Sequence, residues 1–285
     1  MQSLKVAVQK SGRLSEKSLE LFRECGIKLP NGERKLRSSA DNFPLEILFL
    51  RDDDIPQYVE QGVVDAGILG ENEVLENGKQ VELIDRLGFA RCRLVLAIPK
   101  EAHYPGLHFF KGKKIATSYP CILRQFFENQ GIPVEIEAIG GSVEIAPGIG
   151  LADAVFDIVS TGSTLLLNGL KPVETVLHSE AVLIARPGLD PARQALLERL
   201  CFRMRAVRQA AAHKYILLNA PDAAIPAICA LLPGMKAPTL LPLAEPGWSS
   251  LHSVVQEDRF WDVIDQLKAL GAEGILVASI EKMVI

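Results

Sequence analysis

The sequence predicts an α/β protein with two similar lobes and a smaller C-terminal module. Three observations support this prediction. Short apolar strands alternate with helical segments up to Pro187, which is typical of parallel sheets with helices on both faces. The alternation occurs twice along this part of the chain. After Ala212 the order of elements changes to βαββαβ.

Composition excludes several classes of protein. The chain has 285 residues, enough for two or three domains, and 48% of them are hydrophobic. The net charge is −4 with acids and bases interspersed, so nothing predicts a nucleic-acid partner. Five scattered cysteines favour reduced thiols and a cytoplasmic location, and the isolated histidines give little support for a zinc site. No apolar run predicts a signal peptide or a membrane span.

The first lobe is predicted as three repeats of strand, polar loop and helix. Glycines follow the helices, as expected at helix C-termini. The predicted elements in chain order are Leu4–Val8, Leu14–Cys25, Leu45–Leu50, Ile55–Gln61, Val64–Leu69 and a helix from Gly70-Glu71 to about Asn77.

The second lobe repeats this pattern and ends in a loop rich in hydroxyl groups. The predicted elements are the strand Lys114–Thr117, the helix Cys121–Gln130, the strand Val134–Ile139, the helix Val143–Ile149, the strand Ala154–Val159 and a short helix at Leu165. Two apolar strands, Cys92–Pro99 and Ala181–Pro187, are expected to be the crossovers that join the lobes.

Two local echoes support a duplication of the lobe. Gly26-Ile27 and Gly131-Ile132 each end a first helix. Gly62-x-x-Asp65-Ala66 and Gly150-x-x-Asp153-Ala154 each precede a third strand. Chance similarity among βα units is the alternative explanation.

The stretch from Ala154 to Thr164 is the strongest candidate for a binding site. Asp157 lies within an apolar strand, where a carboxylate costs several kcal/mol unless it is paired or hydrated. The loop from Ser160 to Thr164 offers hydroxyls and backbone N–H groups to an anion. The alternative is an ordinary βα turn capped by serine or threonine.

Polar loops from both lobes are expected to surround one cleft, because ligands of open α/β sheets bind at the carboxyl ends of the strands. The candidates are Lys10, Arg13, Arg51, Asp52 to Asp54, Glu71, Tyr119, Glu144 and the Ser160–Thr164 loop. Simpler explanations stay open for several of them. Asp52 to Asp54 and Glu144 are also suitable helix N-terminal charges, Tyr119 a packed turn residue and Arg13 a solvated cation.

The C-terminal part is predicted as a ferredoxin-like domain after the long helix Gln194–Ala212. Its elements are the strand Lys214–Asn219, the helix Ala224–Leu231, the strands Thr239–Leu243 and Leu251–Val255, the helix Arg259–Leu270 and the strand Gly274–Val277. The fold alone assigns no function.

Over essentially its whole length the chain resembles the long form of ATP phosphoribosyltransferase, the first enzyme of histidine biosynthesis. The order and spacing of several motifs carry the resemblance. They are Gln9–Leu14, Arg51–Pro56, Gly67–Asn72, Ala116–Pro120, Gly141–Glu144, Gly150–Leu165, Leu270-Gly-Ala and Ile275-Leu-Val.

This resemblance implies a two-lobed, periplasmic-binding-protein-like catalytic region and a C-terminal regulatory domain. The expected boundaries are residues 1–91 with 180–212 for lobe I, 92–179 for lobe II and 213–285 for the regulatory domain. The implied reaction transfers the phosphoribosyl group of 5-phosphoribosyl 1-pyrophosphate (PRPP) to N1 of the adenine of ATP and releases pyrophosphate. Magnesium, feedback inhibition by histidine and dimers that assemble into hexamers are also implied. A non-catalytic binding module or regulatory subunit is the alternative.

The resemblance also implies roles for individual residues, with no covalent nucleophile. Which acid contacts magnesium stays open, as does the division of roles between Asp153 and Asp157. The residues expected at PRPP are Glu144, Asp153, Asp157, Ser160, Thr161, Gly162, Ser163 and Thr164, and those at ATP are Lys10, Arg13, Arg51, Gly70, Glu71 and Tyr119. The residues expected at the histidine effector are Asn219, where some members have an acid, and Thr239, Val254 and Gly274.

Overall fold

The structure is a computed structural model that describes residues 3–30, 36–160 and 162–284. The chain forms two compact units. One contains Met1–Arg23 with Ile27–Leu197, and the other contains Glu24–Gly26 with Glu198–Ile285. Within the described ranges, no helix is long and apolar enough to cross a membrane.

The first unit contains two mixed sheets and most of the helices. Its strands are β1 (Leu4–Gln9), β2 (Arg37–Ser39), β3 (Leu45–Leu50), β4 (Ala66–Gly70), β5 (Glu82–Arg86), β6 (Cys92–Pro99), β7 (Lys114–Thr117), β8 (Glu135–Ala138), β9 (Ala154–Val159), β10 (Leu170–Ser179) and β11 (Ala181–Ala185). Its helices are α1 (Arg13–Glu24), α2 (Ile55–Glu60), α3 (Glu71–Asn77), α4 (Pro120–Gln130) and α5 (Ser163–Leu167), and α6 (Pro191–Ala211) follows.

The first sheet has the strand order β2-β3-β1-β4-β11-β5. The central strands β3, β1 and β4 are parallel, as predicted, whereas β2, β11 and β5 pair antiparallel. Strands β1 and β4 are largely buried and mostly apolar, which is typical of strands covered on both faces. The carboxyl ends of the parallel strands therefore meet at one edge of the sheet.

The second sheet has the order β10-β6-β9-β7-β8, with β8, β7 and β9 parallel. Strands β6 and β10 pair antiparallel with each other at its other side. The chain passes from the first sheet to the second between β5 and β6 and returns between β10 and β11. The two predicted crossover strands, β6 and β11, are therefore confirmed.

Two aspartates fasten equivalent strands in the two sheets. The Lys5 amide donates to Asp65 Oδ2 at 2.8 Å, and the Asp65 amide donates to the Lys5 carbonyl at 2.9 Å. The corresponding distances between Lys114 and Asp153 are 2.9 and 2.8 Å. Gly62 and Gly150, three residues before each aspartate, both have positive φ, at 72° and 75°. This shared geometry supports the duplication.

Some predicted elements are wrong or were missed. The predicted helix Val143–Ile149 is a single 3-10 turn, Val143–Ile145. Pro147 lacks an N–H donor, and the glycines at 148 and 150 disfavour helix, so the turn does not continue. Strands β2, β5 and β10 were not predicted. Polar residues interrupt β10, and two register shifts break its alternation of buried and exposed side chains.

The second unit contains a four-stranded antiparallel sheet. Its strands are β12 (His213–Pro221), β13 (Thr239–Pro242), β14 (Trp248–Gln256) and β15 (Glu273–Ser279), with helices α7 (Ile225–Leu231) and α8 (Glu257–Ala269). The strand order β13-β14-β12-β15 is that of the predicted ferredoxin-like βαββαβ arrangement. Ile216, Leu218 and Leu251 form its core with Ile228 of α7 and Leu267 of α8.

Candidate active site

The carboxyl ends of β1 and β3 are tied together by hydrogen bonds. The Lys10 amide donates to the Leu50 carbonyl at 2.7 Å, and Gln9 Nε2 donates to Asp52 Oδ2 at 3.1 Å. The side chain of Lys10 is exposed, as is that of Arg13 at the start of α1. The structure therefore places two predicted cations at this edge of the first sheet.

Arg51 is also exposed at this edge and forms an ion pair with Asp53 at 3.1 Å. Exposed ion pairs of this kind contribute little to stability, typically about 0.2–1 kcal/mol. A polyphosphate can therefore compete with Asp53 for the Arg51 guanidinium at a small cost.

The strand β4 leads through Gly70 into α3. A Cβ on Gly70 would lie 2.4 Å from Asn72 Oδ1, so a larger residue here would displace the Asn72 side chain. The Glu71 carboxylate accepts hydrogen bonds from the Arg86 guanidinium on β5, and the Glu71 amide donates to the Glu180 carbonyl at 2.9 Å. The predicted ligand Glu71 is thus an ion-pair partner next to the crossover.

Tyr119, between β7 and α4, connects the second sheet to α3. Its hydroxyl oxygen accepts a hydrogen bond from Asn72 Nδ2 at 3.3 Å, and the hydroxyl also hydrogen bonds with the Glu73 carboxyl. Burial, followed by the nearby Glu73 and Asp157 carboxyls, raises the pKa of Tyr119. The hydroxyl therefore keeps its proton and lies among acids from both sheets.

Asn72 fixes the position of α3 through hydrogen bonds with Ser179. Its side chain and that of Ser179 are almost fully buried. The Asn72 amide donates to Ser179 Oγ at 3.1 Å, and Ser179 Oγ donates to Asn72 Oδ1 at 2.8 Å. Asn72 Nδ2 also donates to Glu73 Oε1 at 2.9 Å. Ser179, at the end of β10, therefore holds Asn72, which in turn contacts Tyr119 and Glu73.

Two carboxyls near Tyr119 have strongly raised pKa values. Burial, followed by the charge of Asp52, raises the pKa of Glu73 from 4.5 to about 7, and the hydrogen bond with Tyr119 opposes this. Burial raises the pKa of Asp157 from 3.8 to about 6; the Ile158 amide opposes the shift and Glu144 adds to it. Strongly perturbed acids in a cleft are typical of functional sites.

The loop after β9 joins the same edge of the second sheet. Ser160 is exposed, and Gly162 precedes α5 with φ at 84°, in the left-handed region that favours glycine. Ser163 and Thr164 are exposed, while Leu165 anchors the turn in the core. Thr161 lies outside the described residues.

Asp153 is not brought together with this loop. It precedes β9 at the amino end of the strand, where its carboxylate accepts the Lys114 amide. Because six strand residues rise by roughly 20 Å, Asp153 lies far from Ser160. The expectation that Asp153 lies near the ribose together with Asp157 is therefore corrected: the structure gives it a contact that fastens β9 to β7.

Sequence reasoning missed Glu73, Asn72 and Glu76. A signal was present, because Asn72 and Glu76 are four residues apart and so share one face of a helix that starts at the carboxyl end of a strand. A polar helix face at that end of a sheet predicts contacts across the cleft. Sequence reasoning chose Glu71, one residue before this face, instead.

The four predicted effector residues lie in the C-terminal sheet. Side chains alternate along strands, so Asn219 of β12 and Val254 of β14 lie on the face opposite the core residues Leu218 and Val255. A Cβ on Gly274, whose φ is 58°, would lie 3.5 Å from Asn219 Nδ2, so these two residues are neighbours.

Thr239 is paired in register with His252 on the same sheet. His252 Nδ1 and the Tyr215 hydroxyl lie 2.6 Å apart, and Tyr215 is in register with Val254. Sequence reasoning did not identify this tyrosine–histidine pair, since the two residues are distant in the chain and neither belongs to a motif.

Comparison with family models decides which family this arrangement represents. A model described as HisG, ATP phosphoribosyltransferase, matches residues 51–206, and one described as HisG, C-terminal domain, matches residues 210–282. The chain belongs to the ATP phosphoribosyltransferase family. Members of this family transfer the phosphoribosyl group of PRPP to N1 of the adenine of ATP in the first step of histidine biosynthesis, and this chain is such a transferase.

Curated relatives agree over the full length. The ATP phosphoribosyltransferase of Bacteroides thetaiotaomicron is 56% identical over 282 residues, which cover 99% of this chain and 100% of the relative. The ATP phosphoribosyltransferase of Cytophaga hutchinsonii is 56% identical and covers 99% of this chain and 98% of the relative. The family assignment therefore includes both compact units.

Solved structures agree on the fold. A chain of the ATP phosphoribosyl transferase (HisG:HisZ) complex from Thermotoga maritima matches with a TM-score of 0.60 and 28% identity, covering 71% of this chain and 98% of that one. A histidine kinase sensor domain with similarity to periplasmic binding proteins matches with a TM-score of 0.50 and 12% identity, covering 73% and 90%. The predicted periplasmic-binding-protein-like arrangement of this transferase is thus confirmed.

Proposed function

We propose that this transferase binds its two substrates next to each other in the cleft marked by Tyr119. PRPP binds to the second sheet and ATP bridges both sheets. The residues assigned to PRPP are Glu144, Asp157, Ser160, Thr161, Gly162, Ser163 and Thr164, and those assigned to ATP are Lys10, Arg13, Arg51, Gly70 and Tyr119, with Glu73 in place of Glu71. The observation that carries the assignment is the cluster of Tyr119, Glu73 and Asp157, whose members come from both sheets.

The chemistry requires alignment more than it requires a nucleophile. Adenine N1 forms a bond to the anomeric carbon of the ribose while the bond to pyrophosphate breaks, and positive charge develops on the ribose. Aligning two bound reactants can lower the barrier by roughly 7–11 kcal/mol. The exposed cations Lys10, Arg13 and Arg51 hold the phosphates, and the Asp157 carboxylate stabilises the positive ribose.

We also propose magnesium as the metal of this reaction. Among the described residues, no group of three or more His, Cys, Asp and Glu side chains could hold a metal ion. This agrees with the usual behaviour of magnesium, which binds through one or two carboxylates together with substrate phosphates. Glu144 is the carboxylate we assign to it, and the bound metal would neutralise charge on the departing pyrophosphate.

For the remaining features we propose the following. Residues 1–91 with 180–212 and residues 92–179 form the two catalytic lobes, and residues 213–285 form a regulatory domain that binds histidine at Asn219, Thr239, Val254 and Gly274. The chain assembles into dimers and hexamers. The five cysteines are free, which supports a cytoplasmic location.

The test of the reaction is pyrophosphate release by the purified full-length chain with ATP, PRPP and magnesium. We expect product that depends on all three. Folded protein that forms no product would contradict the proposal.

The test of the PRPP assignment is Thr164→Ala. Loss of one hydrogen bond to a charged phosphate should raise the Kd for PRPP about tenfold, equivalent to about 1.4 kcal/mol, and leave the Kd for ATP unchanged. Calorimetric titration measures both, and Thr175→Ala, an exposed threonine of β10, is the matched control. Equal weakening of both ligands would refute the assignment of the loop to PRPP.

A further inference from the structure

Glu76 links the two sheets of the catalytic region. Glu76 Oε1 accepts a hydrogen bond from the Cys121 amide at 2.8 Å, and Glu76 Oε2 accepts one from the Ile122 amide at 3.0 Å. The first amides of a helix have no partner within the helix, and a carboxylate there is also favoured by the helix dipole. One side chain of α3 therefore satisfies two donors at the start of α4.

The two helices belong to different cores. Val74 of α3 packs against the core of the first sheet, whereas Leu123 and Phe127 of α4 belong to the core of the second sheet. A relative movement of the two sheets would carry α3 and α4 apart. The hydrogen bonds of Glu76 would then break, so they stabilise the observed spacing.

The contact between α3 and α4 has a second attachment point at Asn72. Asn72, four residues before Glu76 and on the same face of α3, is buried and doubly hydrogen bonded with Ser179. Tyr119 directly precedes α4 and meets Asn72 and Glu73. Tyr119 is therefore held between the Asn72 attachment and the Glu76 attachment.

We infer that Glu76 is a positioning residue for ATP, which acts by fixing Tyr119 of the second sheet relative to the cations Lys10, Arg13 and Arg51 of the first. The inference rests on the proposed binding of ATP across both sheets. Without Glu76 the two sheets adopt several spacings, and only one of them allows ATP to contact both sheets. The apparent affinity for ATP falls in proportion to the population of that spacing.

The inference distinguishes a ligand that needs both sheets from ligands that need one. Glu76→Ala should raise the Kd for ATP about fivefold. Inorganic triphosphate, which reaches only the first-sheet cations, and PRPP, which binds to the second sheet, should change by less than about twofold. Glu76→Gln keeps one acceptor oxygen for the two amides and should give an intermediate value for ATP.

The experiment measures the Kd for ATP, triphosphate and PRPP by calorimetry with the full chain. Glu128→Ala, which removes an exposed carboxylate from the other end of α4, is the matched control. Hydrogen exchange provides a second measurement. The amides of Cys121 and Ile122 should exchange faster in Glu76→Ala, whereas the Leu123 amide, bonded to the Tyr119 carbonyl, should exchange as before.

The possible results separate cleanly. Removal of a negative charge alone would strengthen the binding of both ATP and triphosphate, so that result would overturn the inference. An unchanged Kd for ATP, or equal weakening of all three ligands, would also overturn it. If the wild type binds ATP but forms no product, the proposed reaction fails, and a selective effect on ATP still supports the role of Glu76.

Discussion

Strands β4 and β9 occupy equivalent positions in the two sheets. Their amino ends make matching contacts, whereas their carboxyl ends lead into different structures. At the amino ends, Asp65 and Asp153 each accept a neighbouring-strand amide with the carboxylate and donate their own amide to the carbonyl of the same residue. At the carboxyl ends, Gly70 leads into the acidic helix α3, whereas Ser160 begins a loop of hydroxyl residues. The matched ends maintain the duplicated fold, and in the proposed assignment the different ends contact two chemically different substrates.

The matched ends are not energetically equal. Asp65 is buried and also forms an ion pair with Arg193 at 3.4 Å, whereas Asp153 is exposed. Arg193 Nε is buried without a hydrogen-bond partner among the residues that the structure describes, and the Asp65 and Asp190 carboxylates lie next to its guanidinium. Loss of the carboxylate at position 65 would leave this guanidinium poorly compensated.

The largest effect should therefore come from Asp65→Ala. We expect a loss of unfolding free energy of about 3 kcal/mol, because a partly buried cation loses its partner and the Lys5 amide loses its acceptor. Asp153→Ala should cost about 1 kcal/mol, since water replaces the carboxylate. Urea unfolding followed by circular dichroism measures both.

The control for both aspartates is Asp262→Ala on the exposed side of α8, which should be neutral. A Kd for PRPP that rises in Asp153→Ala would contradict the fastening role and would return Asp153 to the binding site. Equal destabilisation by Asp65→Ala and Asp153→Ala would show that the ion pair with Arg193 contributes nothing.

The sequence predicts the matched parts of the fold well. A glycine at each positive φ and an aspartate three residues later form a short local pattern, and local patterns are visible in a sequence. The central strands are also visible, because strands buried on both faces are continuous apolar runs. Strand β10 is not visible, since two register shifts and polar side chains remove its periodicity.

The candidate site is less visible because its contacts join distant residues. Asp157 could be singled out as an acid within an apolar strand. Glu73 and Glu71 have similar local surroundings in the sequence, and only the tertiary structure turns one toward Tyr119 and the other toward Arg86. For the same reason Asp153, which is close in sequence to the predicted binding loop, could not be separated from it before the strand ends were placed.

A pH experiment on Glu73 tests the environment at the carboxyl end of the first sheet. Its pKa is about 7 in the folded protein and ordinarily 4.5, so between these values the folded state binds more protons than the unfolded state. This contribution to stability is fully present below pH 4.5 and is lost as the pH rises through about 7. Relative to Glu73→Gln, the wild type should lose on the order of 2 kcal/mol between pH 4.5 and 8.

Urea unfolding across this pH range measures the difference, with Glu101→Gln as an exposed control. The Asp157 carboxyl titrates in both proteins and cancels from the comparison. A difference between wild type and Glu73→Gln that stays constant with pH would show that the Glu73 carboxyl is already ionised at low pH, contrary to its burial beside Asp52.

The smallest effect should come from Tyr119→Phe. The Tyr119 hydroxyl hydrogen bonds with the Glu73 carboxyl and lowers its pKa, so removal of the hydroxyl should raise the pKa of Glu73 above about 7. The matching reference is the double variant Tyr119→Phe with Glu73→Gln. The pH at which Tyr119→Phe loses stability relative to this reference should be higher than in the wild-type comparison, by less than about one unit. At pH 5 the unfolding free energy of Tyr119→Phe should be about 1 kcal/mol lower than that of the wild type. The loss is small because Asn72 Nδ2 keeps Glu73 Oε1 as an acceptor. A shift to lower pH would mean that the hydroxyl does not donate to Glu73.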